Sequence, residues 1–310
     1  MNYGNHSRLI EFLIIGFSDF PSLKTPLLLC FLCVYIFTFA GNSILTILIS
    51  WSPSLSSPMY FFLCNLSSLD VLYTSTTCPH LIGISITQEG QISFVGCMFQ
   101  LYFFIAFGST EYFLLTVMSF DRYVAICKPL HYTLMMNKQV CLYGAMGSWL
   151  GGLIASIPIT TVASTLDYCN SNIVNHFFCD ITALITLACS NATIIHTIIL
   201  IQGVLLVMTS FFLTLVSYIN IVWTIMMIQT SKGKYKTFST CASHLTTVSF
   251  FYIIVFVLYM RPSAAVSLRQ GKILTALYMY AIPMLNPIVY SFRNKNVKMA
   301  LKQFIKIGHY

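Results

Sequence analysis

The segment "GCMFQLYFFIAFGSTEYFLLTVMSFDRYVAIC", residues 96–127, decides the fold of this chain. Within residues 96–120 the only charged side chain is Glu111, and the acid–base pair Asp121 and Arg122 follows directly. A helix needs about 20 predominantly apolar residues to cross the hydrocarbon core of a bilayer. We therefore interpret the segment as a membrane-spanning helix that ends where charged groups can reach the membrane surface.

The composition of the whole chain supports a membrane protein. Hydrophobic residues make up 57% of the 310 residues and charged residues 8%, whereas soluble domains typically carry about 25% charged residues. Too little polar surface remains to keep a globule of this size in solution. The alternating segments of about 10 residues that are typical of a membrane β-barrel are not found either. The sequence predicts an all-α membrane protein.

Seven apolar runs predict a seven-transmembrane helix bundle, to which we assign residues 26–292 as one domain. The runs are 26–50, 58–81, 96–120, 141–162, 197–225, 239–260 and 272–292. The fourth run is interrupted by Gly151, Gly152 and Pro158. After the seventh run, residues 293–310 alternate apolar residues with lysines, which predicts a short amphipathic helix on the inner membrane surface. A disordered tail is the alternative.

The distribution of basic residues predicts the orientation of the bundle. If the amino-terminal tail (residues 1–25) is extracellular, 11 of the 16 Lys and Arg residues lie on the cytoplasmic side, as the positive-inside rule requires. The resulting basic inner face suits anionic lipid or an acidic protein partner. Nucleic-acid binding is disfavoured because there is no soluble basic domain. With this orientation, Asn5 lies in a glycosylation motif of the extracellular tail. Whether the similar motif at Asn191 is glycosylated is left open.

Four cysteines fall on this outer, oxidising side of the membrane. They are Cys97 at the start of the third run and Cys169, Cys179 and Cys189 in the loop after the fourth. Four cysteines allow three disulfide pairings. The residues by themselves leave all three open.

Four sequence blocks connect this chain to a known family. They are "PMYFFLCNLSSLD" (58–70), "MSFDRYVAICKPLHY" (118–132), "KTFSTCASHL" (236–245) and "PMLNPIVYSFRN" (283–294). In this order, with seven spans and an outward amino terminus, they resemble vertebrate olfactory receptors, which are rhodopsin-like G-protein-coupled receptors. The resemblance implies a plasma-membrane receptor for a small, mainly hydrophobic odorant, coupled to a stimulatory G protein and cAMP. It also implies disulfides joining Cys97 to Cys179 and Cys169 to Cys189.

The resemblance places the ligand site in the outer half of the bundle, on one face of the third span and opposite the fifth, sixth and seventh. The residues expected to contact the ligand are Phe104, Ile105, Gly108, Ser109, Tyr112, Gln202, Leu206, Tyr252, Val255, Phe256, Tyr259, Ala276, Met279 and Tyr280. Such a lining is apolar with a few hydroxyl groups and one amide, which suits a small hydrophobic molecule. For each residue, ordinary packing between helices is the alternative.

The resemblance also implies a switch for G-protein coupling at the inner end. Its expected residues are Asp121, Arg122, Tyr123, Tyr218, His244, Asn286, Pro287 and Tyr290. Arg122 would pair with Asp121 in the closed bundle and contact a G protein after opening. The alternative is that Arg122 only anchors the helix at the inner surface.

Two acidic residues, Asp70 and Glu111, lie in the middle of predicted spans, where an ionised side chain is costly. With Asn286 they form a candidate site for an allosteric sodium ion that would favour the inactive bundle. The alternative is that one or both carboxyl groups are protonated and hydrogen-bonded to their neighbours. No other cofactor is expected.

Other functional classes fit the sequence less well. An enzyme is disfavoured because no nucleophile elbow, phosphate-binding glycine loop or His-Glu-x-x-His motif occurs. A transporter is disfavoured because neither inverted repeats nor paired broken helices are found. The remaining alternative is a seven-span chemosensory receptor that acts outside the olfactory epithelium.

Overall fold

The computed structural model describes residues 11–18, 24–169, 171–259, 268–293 and 295–307. Within these ranges seven long helices are followed by one shorter helix, as the sequence predicts. They are α1 (Lys24–Trp51), α2 (Pro58–Thr87), α3 (Phe94–Cys127), α4 (Lys138–Thr165), α5 (Thr193–Met227), α6 (Ser231–Tyr259), α7 (Leu268–Arg293) and α8 (Lys295–Ile307). Every predicted span lies within one long helix, except for residue 260, which lies outside the described residues.

Most of the long helices are suited to a membrane by length and composition. Among the described residues, α1, α3, α4, α5 and the Gly271–Tyr290 part of α7 are apolar and long enough to span one. In α6, the pair Ser231–Ser239 and Cys241–Phe256 meets the same criterion across a bend of 53°. Helix α2 has 30 residues, which is sufficient length, but it carries more polar side chains, several of them buried.

Helix α3 lies at the centre of the bundle, in contact with α2, α4, α5 and α6. Its approach to α4 requires Gly152, because a Cβ atom there would lie 2.0 Å from Thr110 Oγ1 and 2.5 Å from the Ala106 carbonyl oxygen. The fourth span tolerates the helix breakers within its sequence, since α4 runs unbroken through Gly151, Gly152 and Pro158. The glycine permits close packing of two helices and does not break one.

Local hydrogen bonds determine where the central helices begin. The Ser93 side chain accepts a hydrogen bond from the Gly96 amide (3.1 Å) and starts α3. The Asn137 side chain accepts one from the Val140 amide (2.9 Å) and starts α4. Such side chains satisfy amides that have no partner within the first turn of a helix. Helix α2 continues past the predicted end at residue 81, because Pro79 is accommodated within it.

A small β-sheet covers one end of the bundle, which we call the outer end, and the end that carries Asp121 the inner end. Strand β1 (Glu11–Ile14) pairs antiparallel with β2 (Gln91–Ser93) and parallel with β3 (Ile173–Val174). The all-α prediction did not include this sheet, because strands of two to four residues leave no periodic pattern. Residues 11–18, which we call the strap, thus belong to the packed fold and not to a free tail.

Two disulfides hold the loop that follows α4 against the outer end. Cys97 is bonded to Cys179 (Cα–Cα 5.4 Å) and Cys169 to Cys189 (Cα–Cα 5.8 Å). These are the pairings that the resemblance implies. The second bridge closes a loop that contains the short helix Ile181–Leu187. The predicted glycosylation site at Asn5 lies outside the described residues.

Helix α8 packs against the inner end of α1. Val297 and Ala300 are fully buried on one side, while Met299 on another side is exposed. The Phe304 ring lies edge-on to Trp51 of α1, with centroids 5.6 Å apart. The amphipathic helix predicted after the seventh span is therefore present, and its buried side is directed toward the bundle.

Candidate functional site

The predicted ligand residues nearest the outer end belong to an outer aromatic cluster. Phe104 of α3 stacks on Tyr73 (centroids 5.5 Å apart) and contacts Phe178 of the outer loop (4.6 Å). Tyr280 of α7 forms a hydrogen bond with Thr77 of α2 (3.1 Å). The full cluster is Phe17, Phe31, Tyr73, Phe104, Phe177, Phe178 and Tyr280, with Ala276 and Met279 packed against it. Ala276, Met279 and Tyr280 of α7 therefore face α1, α2 and the loop.

Predicted ligand residues from α3 and α6 meet in a middle aromatic cluster one to two turns deeper. The ring of Tyr112 lies edge-on to Phe251 (4.8 Å), and Phe256 lies edge-on to Phe211 of α5 (5.0 Å). The Tyr252 hydroxyl donates a hydrogen bond to Ser210 (3.1 Å). The cluster contains Tyr112, Phe211, Phe251, Tyr252, Phe256 and Tyr278, and Val255 is buried beside it. The predicted residues are thus divided between two clusters.

Phe107 and Tyr278 connect the two clusters, because both pack against the buried residues of each. Neither was predicted, although Phe107 follows Phe104 by one helical turn and could have been found by that spacing. On the same helix, Ser109 is buried. A Cβ atom on Gly108 would meet nothing nearer than the Tyr73 hydroxyl, at 3.9 Å. Gly108 therefore leaves room beside α3 between the clusters.

Three other predicted ligand residues, Ile105, Gln202 and Leu206, are not among the residues of either cluster. Ile105 packs against the apolar cluster beneath the outer loop. Gln202 and Leu206 are half-buried on α5, where residues Val204–Met208 form a π-helical turn. Such turns change the direction of side chains and are frequent at functional sites. The Tyr259 side chain lies outside the described part of the structure.

Gln100 holds the outer loop above these clusters, and sequence reasoning missed it. Its amide nitrogen donates to the Thr76 carbonyl of α2 (3.0 Å), and its amide oxygen accepts from the Cys179 backbone amide (2.9 Å). The side chain is buried and lies one turn from Cys97, which carries the disulfide to the same cysteine. A covalent bond and a hydrogen bond together therefore fix Phe177 and Phe178 over the bundle.

The inner end of α3 carries the predicted pair Asp121 and Arg122. Arg122 donates through Nε to Asp121 Oδ2 (2.9 Å), and its terminal nitrogen forms a salt bridge to the same oxygen. Both residues are buried. A charge-assisted contact of this kind is stronger than a neutral hydrogen bond, so the pair holds Arg122 in place.

Tyr132, in the short helix Tyr132–Met135, is a third member of this contact that the prediction did not include. Its hydroxyl donates to the second oxygen of Asp121, Oδ1, at 2.8 Å. Burial, followed by the neighbouring Asp121 charge, raises the pKa of the Tyr132 phenol. The phenol therefore remains a hydrogen-bond donor at neutral pH. The residue ends the block 118–132, so its position was visible in the sequence but its partner was not.

Other predicted switch residues surround Arg122. Tyr218 of α5 forms a 2.5 Å hydrogen bond with His244 Nδ1 of α6, which ties these helices together. Arg122 lies within electrostatic reach of Tyr218, His244 and the fully buried Tyr290. Tyr123 is directed elsewhere, since its ring lies 5.9 Å from Lys128 Nζ. Among the predicted switch residues, Asp121 contacts Arg122 directly, and Tyr218, His244 and Tyr290 lie within reach of its charge.

Asn286 and Pro287 lie deeper in α7, close to the acidic residues. Asn286 donates to Asp70 Oδ2 at 2.8 Å. A proline at position 287 cannot donate to the Pro283 carbonyl, and Asn42 of α1 donates to that carbonyl instead (3.0 Å). This contact explains how α7 stays helical through two prolines.

Comparison with known proteins identifies the family. The sequence profile described as "Olfactory receptor" matches residues 29–306. The chain is 41% identical to olfactory receptor 5AR1 of Mus musculus over 305 residues, which covers 98% of each chain. It is 42% identical to olfactory receptor 10A7 of Homo sapiens over 301 residues, covering 97% of this chain and 95% of that one. The protein therefore belongs to the olfactory receptor family of seven-transmembrane G-protein-coupled receptors, which are receptors and not enzymes.

Proposed function

We propose that this protein is a plasma-membrane odorant receptor with an extracellular amino terminus and a stimulatory, cAMP-linked G protein as its partner. The observation that carries the proposal is the closed contact of Asp121 with Arg122 in a chain of this family. The contact lies beneath an apolar region that contains few polar groups. A receptor of this kind converts binding at the outer end into a rearrangement at the inner end.

The ligand is proposed to bind between the outer and middle aromatic clusters, beside Gly108. The space next to this glycine and the buried Ser109 hydroxyl support this position. Phe104 stands where amine-binding receptors carry an aspartate, so a cationic amine has no carboxylate to pair with at this position. Burial of apolar surface contributes about 25 cal/mol of binding free energy per Å² of buried area. The ligand class that fits this apolar region best is therefore a small hydrophobic volatile with one hydrogen-bonding group.

Signalling is proposed to result from a shift between two states of the bundle. A ligand changes this equilibrium only by its difference in affinity for the two states. In the open state Arg122 would leave Asp121 and interact with Tyr218 or Tyr290. It would then also reach a helix of the G protein. The proximity of both tyrosines to Arg122 supports this exchange of partners.

A cAMP reporter assay of the surface-expressed receptor against a broad panel of volatiles tests the function. We expect at least one volatile to raise cAMP, and Arg122→Ala to abolish that rise at equal surface expression. Lys138→Ala, which removes another basic residue near the inner end, is the matched control and should respond like the parent. Failure of every volatile to raise cAMP at good surface expression would contradict the proposal.

The ligand position is tested separately by filling the space at Gly108. Gly108→Val should weaken the odorant response at least tenfold, because the added methyl groups occupy the proposed site. Gly147→Val is the control, since a Cβ atom there meets nothing within 4 Å and the residue is exposed. Ser109→Ala, Gln202→Ala, Tyr252→Phe and Tyr259→Phe then identify the hydrogen-bonding group. An unchanged response in Gly108→Val would place the ligand elsewhere.

We also propose that Asp70 and Glu111 hold a sodium ion. Glu111 is buried, and its Oε1 has no hydrogen-bond partner within the described part of the chain. Asp70 of α2 accepts a hydrogen bond from Asn286 of α7, and Glu111 of α3 lies within electrostatic reach of Asp70. Oxygen ligands of this kind suit a hard cation. Basal cAMP should fall as sodium rises in the parent. The site is excluded if Glu111→Gln and Asp70→Asn show the same sodium dependence.

Two further proposals concern the surfaces of the receptor. Glycosylation at Asn5 would be consistent with an extracellular amino terminus, and glycosidase treatment should shift the mobility of the parent but not of Asn5→Gln. The lysines of α8 are proposed to bind anionic lipid headgroups. Replacing Lys298, Lys302 and Lys306 with Gln should reduce the affinity of the receptor for anionic vesicles.

A further inference from the structure

The strap is attached to the outer end through Gly16, which is held from two directions. The Gly16 amide donates to the His176 carbonyl of the outer loop (3.0 Å). The Gly16 carbonyl accepts from Lys272 Nζ at the start of α7 (3.1 Å). Lys272 is 1% exposed and His176 is 7% exposed. One residue of the strap thus joins a buried lysine to a buried histidine.

The surroundings of the His176 ring suit a neutral imidazole. The ring stacks on Phe177 (centroids 4.6 Å) and lies edge-on to Phe178 (4.8 Å). Its Nδ1 has no hydrogen-bond partner among the residues that the structure describes. A second proton on this ring would therefore place a charge among aromatic rings, where desolvation makes it costly.

The charged groups that act on His176 come from two directions and oppose each other. Lys272 of α7 repels a proton on the ring, and Asp180 of the outer loop attracts it. Asp180 is already engaged, because its Oδ1 accepts from the amides of Thr182 (2.9 Å) and Ala183 (3.3 Å). Burial is the largest effect, and with Lys272 it outweighs Asp180, so the pKa of His176 lies below its usual value.

We propose that His176 is an acid-sensitive latch: protonation of its ring releases the strap, residues 11–18, from the outer loop and Lys272. An imidazolium at this position is drawn toward water, and movement of its segment out of the aromatic cluster would break the hydrogen bond from Gly16 to the His176 carbonyl. Phe17, which stacks between Phe31 and Phe177, would leave with the strap. Release would therefore uncover the top of the outer aromatic cluster.

The direction of the pH dependence follows from proton linkage. The closed strap binds the proton less readily than the open strap, in which His176 is hydrated and titrates near its ordinary pKa of about 6.5. The closed strap keeps its full stability when the pH is above the ordinary pKa of His176. It loses stability as the pH falls below that pKa. Between pH 7.5 and pH 5.5 the ratio of open to closed strap should rise by up to about tenfold, the limit reached when only the open form gains a proton.

Hydrogen–deuterium exchange of the receptor in lipid nanodiscs tests the latch. The amides of Ile14, Ile15 and Gly16, which donate to Gly90, Val174 and His176, report strap opening. After correction for intrinsic exchange rates, the parent should open more at pH 5.5 than at pH 7.5, by up to about tenfold. His176→Gln should show little change. His196→Gln, which alters an exposed histidine of α5, should behave like the parent.

Two results would overturn the proposal: a parent strap whose opening is independent of pH, or a pH response that persists in His176→Gln. If His176→Gln does not fold, Lys272→Gln provides the second test. Its amide can still donate to Gly16, but it no longer repels the proton on His176. The pH-induced rise in opening should therefore shrink, and an unchanged rise would contradict the mechanism.

Discussion

The two ends of the bundle are held by different kinds of interaction. At the outer end, two disulfides, a three-stranded sheet and Gln100 join the strap, the loop, α2 and α3. At the inner end, the described contacts around Arg122 are side-chain hydrogen bonds and one ion pair, made by Asp121, Tyr132 and the Tyr218–His244 pair. Covalent bonds keep their partners, whereas side-chain hydrogen bonds can exchange them.

This difference suggests how one bundle combines a fixed recognition end with a movable signalling end. Hydrogen bonds to charged groups contribute about 1.5–3 kcal/mol each. Ligand binding can supply a difference of this size between two states. Ligand binding cannot break a disulfide. The expected path of rearrangement is therefore at the inner end, with the outer loop serving as a rigid cover whose strap alone is released by acid.

Removing a disulfide should give the largest effect. The Cys97–Cys179 bridge closes 82 residues and Cys169–Cys189 closes 20. Loop-closure entropy then predicts losses of about 4.5 and 3.3 kcal/mol on replacement of both cysteines by Ala. Thermal unfolding of the purified receptor measures both. If either double variant loses less stability than Tyr132→Phe, the contrast between a fixed outer end and a movable inner end fails.

Gly90→Ala should detach the strap without touching the disulfides. A Cβ atom at this position would lie 1.9 Å from the Ile14 carbonyl oxygen, so the strand must move. Forced displacements of this kind typically cost about 1–3 kcal/mol. Gly83→Ala is the control, because its Cβ atom would meet nothing within 4 Å. Limited proteolysis of the amino-terminal segment should be faster in Gly90→Ala alone.

Asp121→Asn should raise basal signalling because it removes the charge that holds Arg122. A loss of about 2 kcal/mol in the closed state corresponds to about a thirtyfold shift toward the open state. Basal cAMP at matched surface expression is the measurement. Asp167→Asn, at an exposed acid of the outer loop, should leave basal cAMP unchanged. Equal basal activity in parent and Asp121→Asn would mean that the contact does not restrain signalling.

Tyr132→Phe should act in the same direction with a smaller effect. It removes one half-buried hydrogen bond to Asp121 and leaves the ion pair, so about 1 kcal/mol and a fivefold shift are expected. Tyr143→Phe, on the exposed face of α4, is the control. A larger rise in basal cAMP than that of Asp121→Asn would identify Tyr132 as the main restraint.

The helices and the polar residues within them could be predicted from the sequence with little ambiguity. Runs of about 20 apolar residues have one stable arrangement in a bilayer, since each backbone group must be satisfied internally. The pair Asp121–Arg122 could be predicted because adjacent residues at a helix end stay close in any packing. The strap could not, since its short strand acquires its pairing only from partners about 80 and 160 residues away.

The residues of the candidate site could likewise be predicted from the sequence only in part. Phe104, Tyr112 and Tyr280 were identified as residues of the outer half, but helical spacing cannot tell which neighbouring helix each side chain meets. The neighbour that each side chain meets depends on how α3 and α7 are rotated and packed. This packing divides the three residues between two aromatic clusters. Tyr132 and Gln100 were missed for the same reason, because their partners are separated from them in sequence.

Hydropathy, charge placement and family motifs, all local properties of the sequence, determined the number of spans, the predicted orientation, the family and the Asp121–Arg122 pair. Tertiary structure alone decided the close approach at Gly152, the sheet around the strap, the link of Gly16 to His176 and Lys272, and the role of Tyr132. The physical reason is that these contacts join distant residues. Their geometry is set by the packing of whole helices, and no short segment contains it.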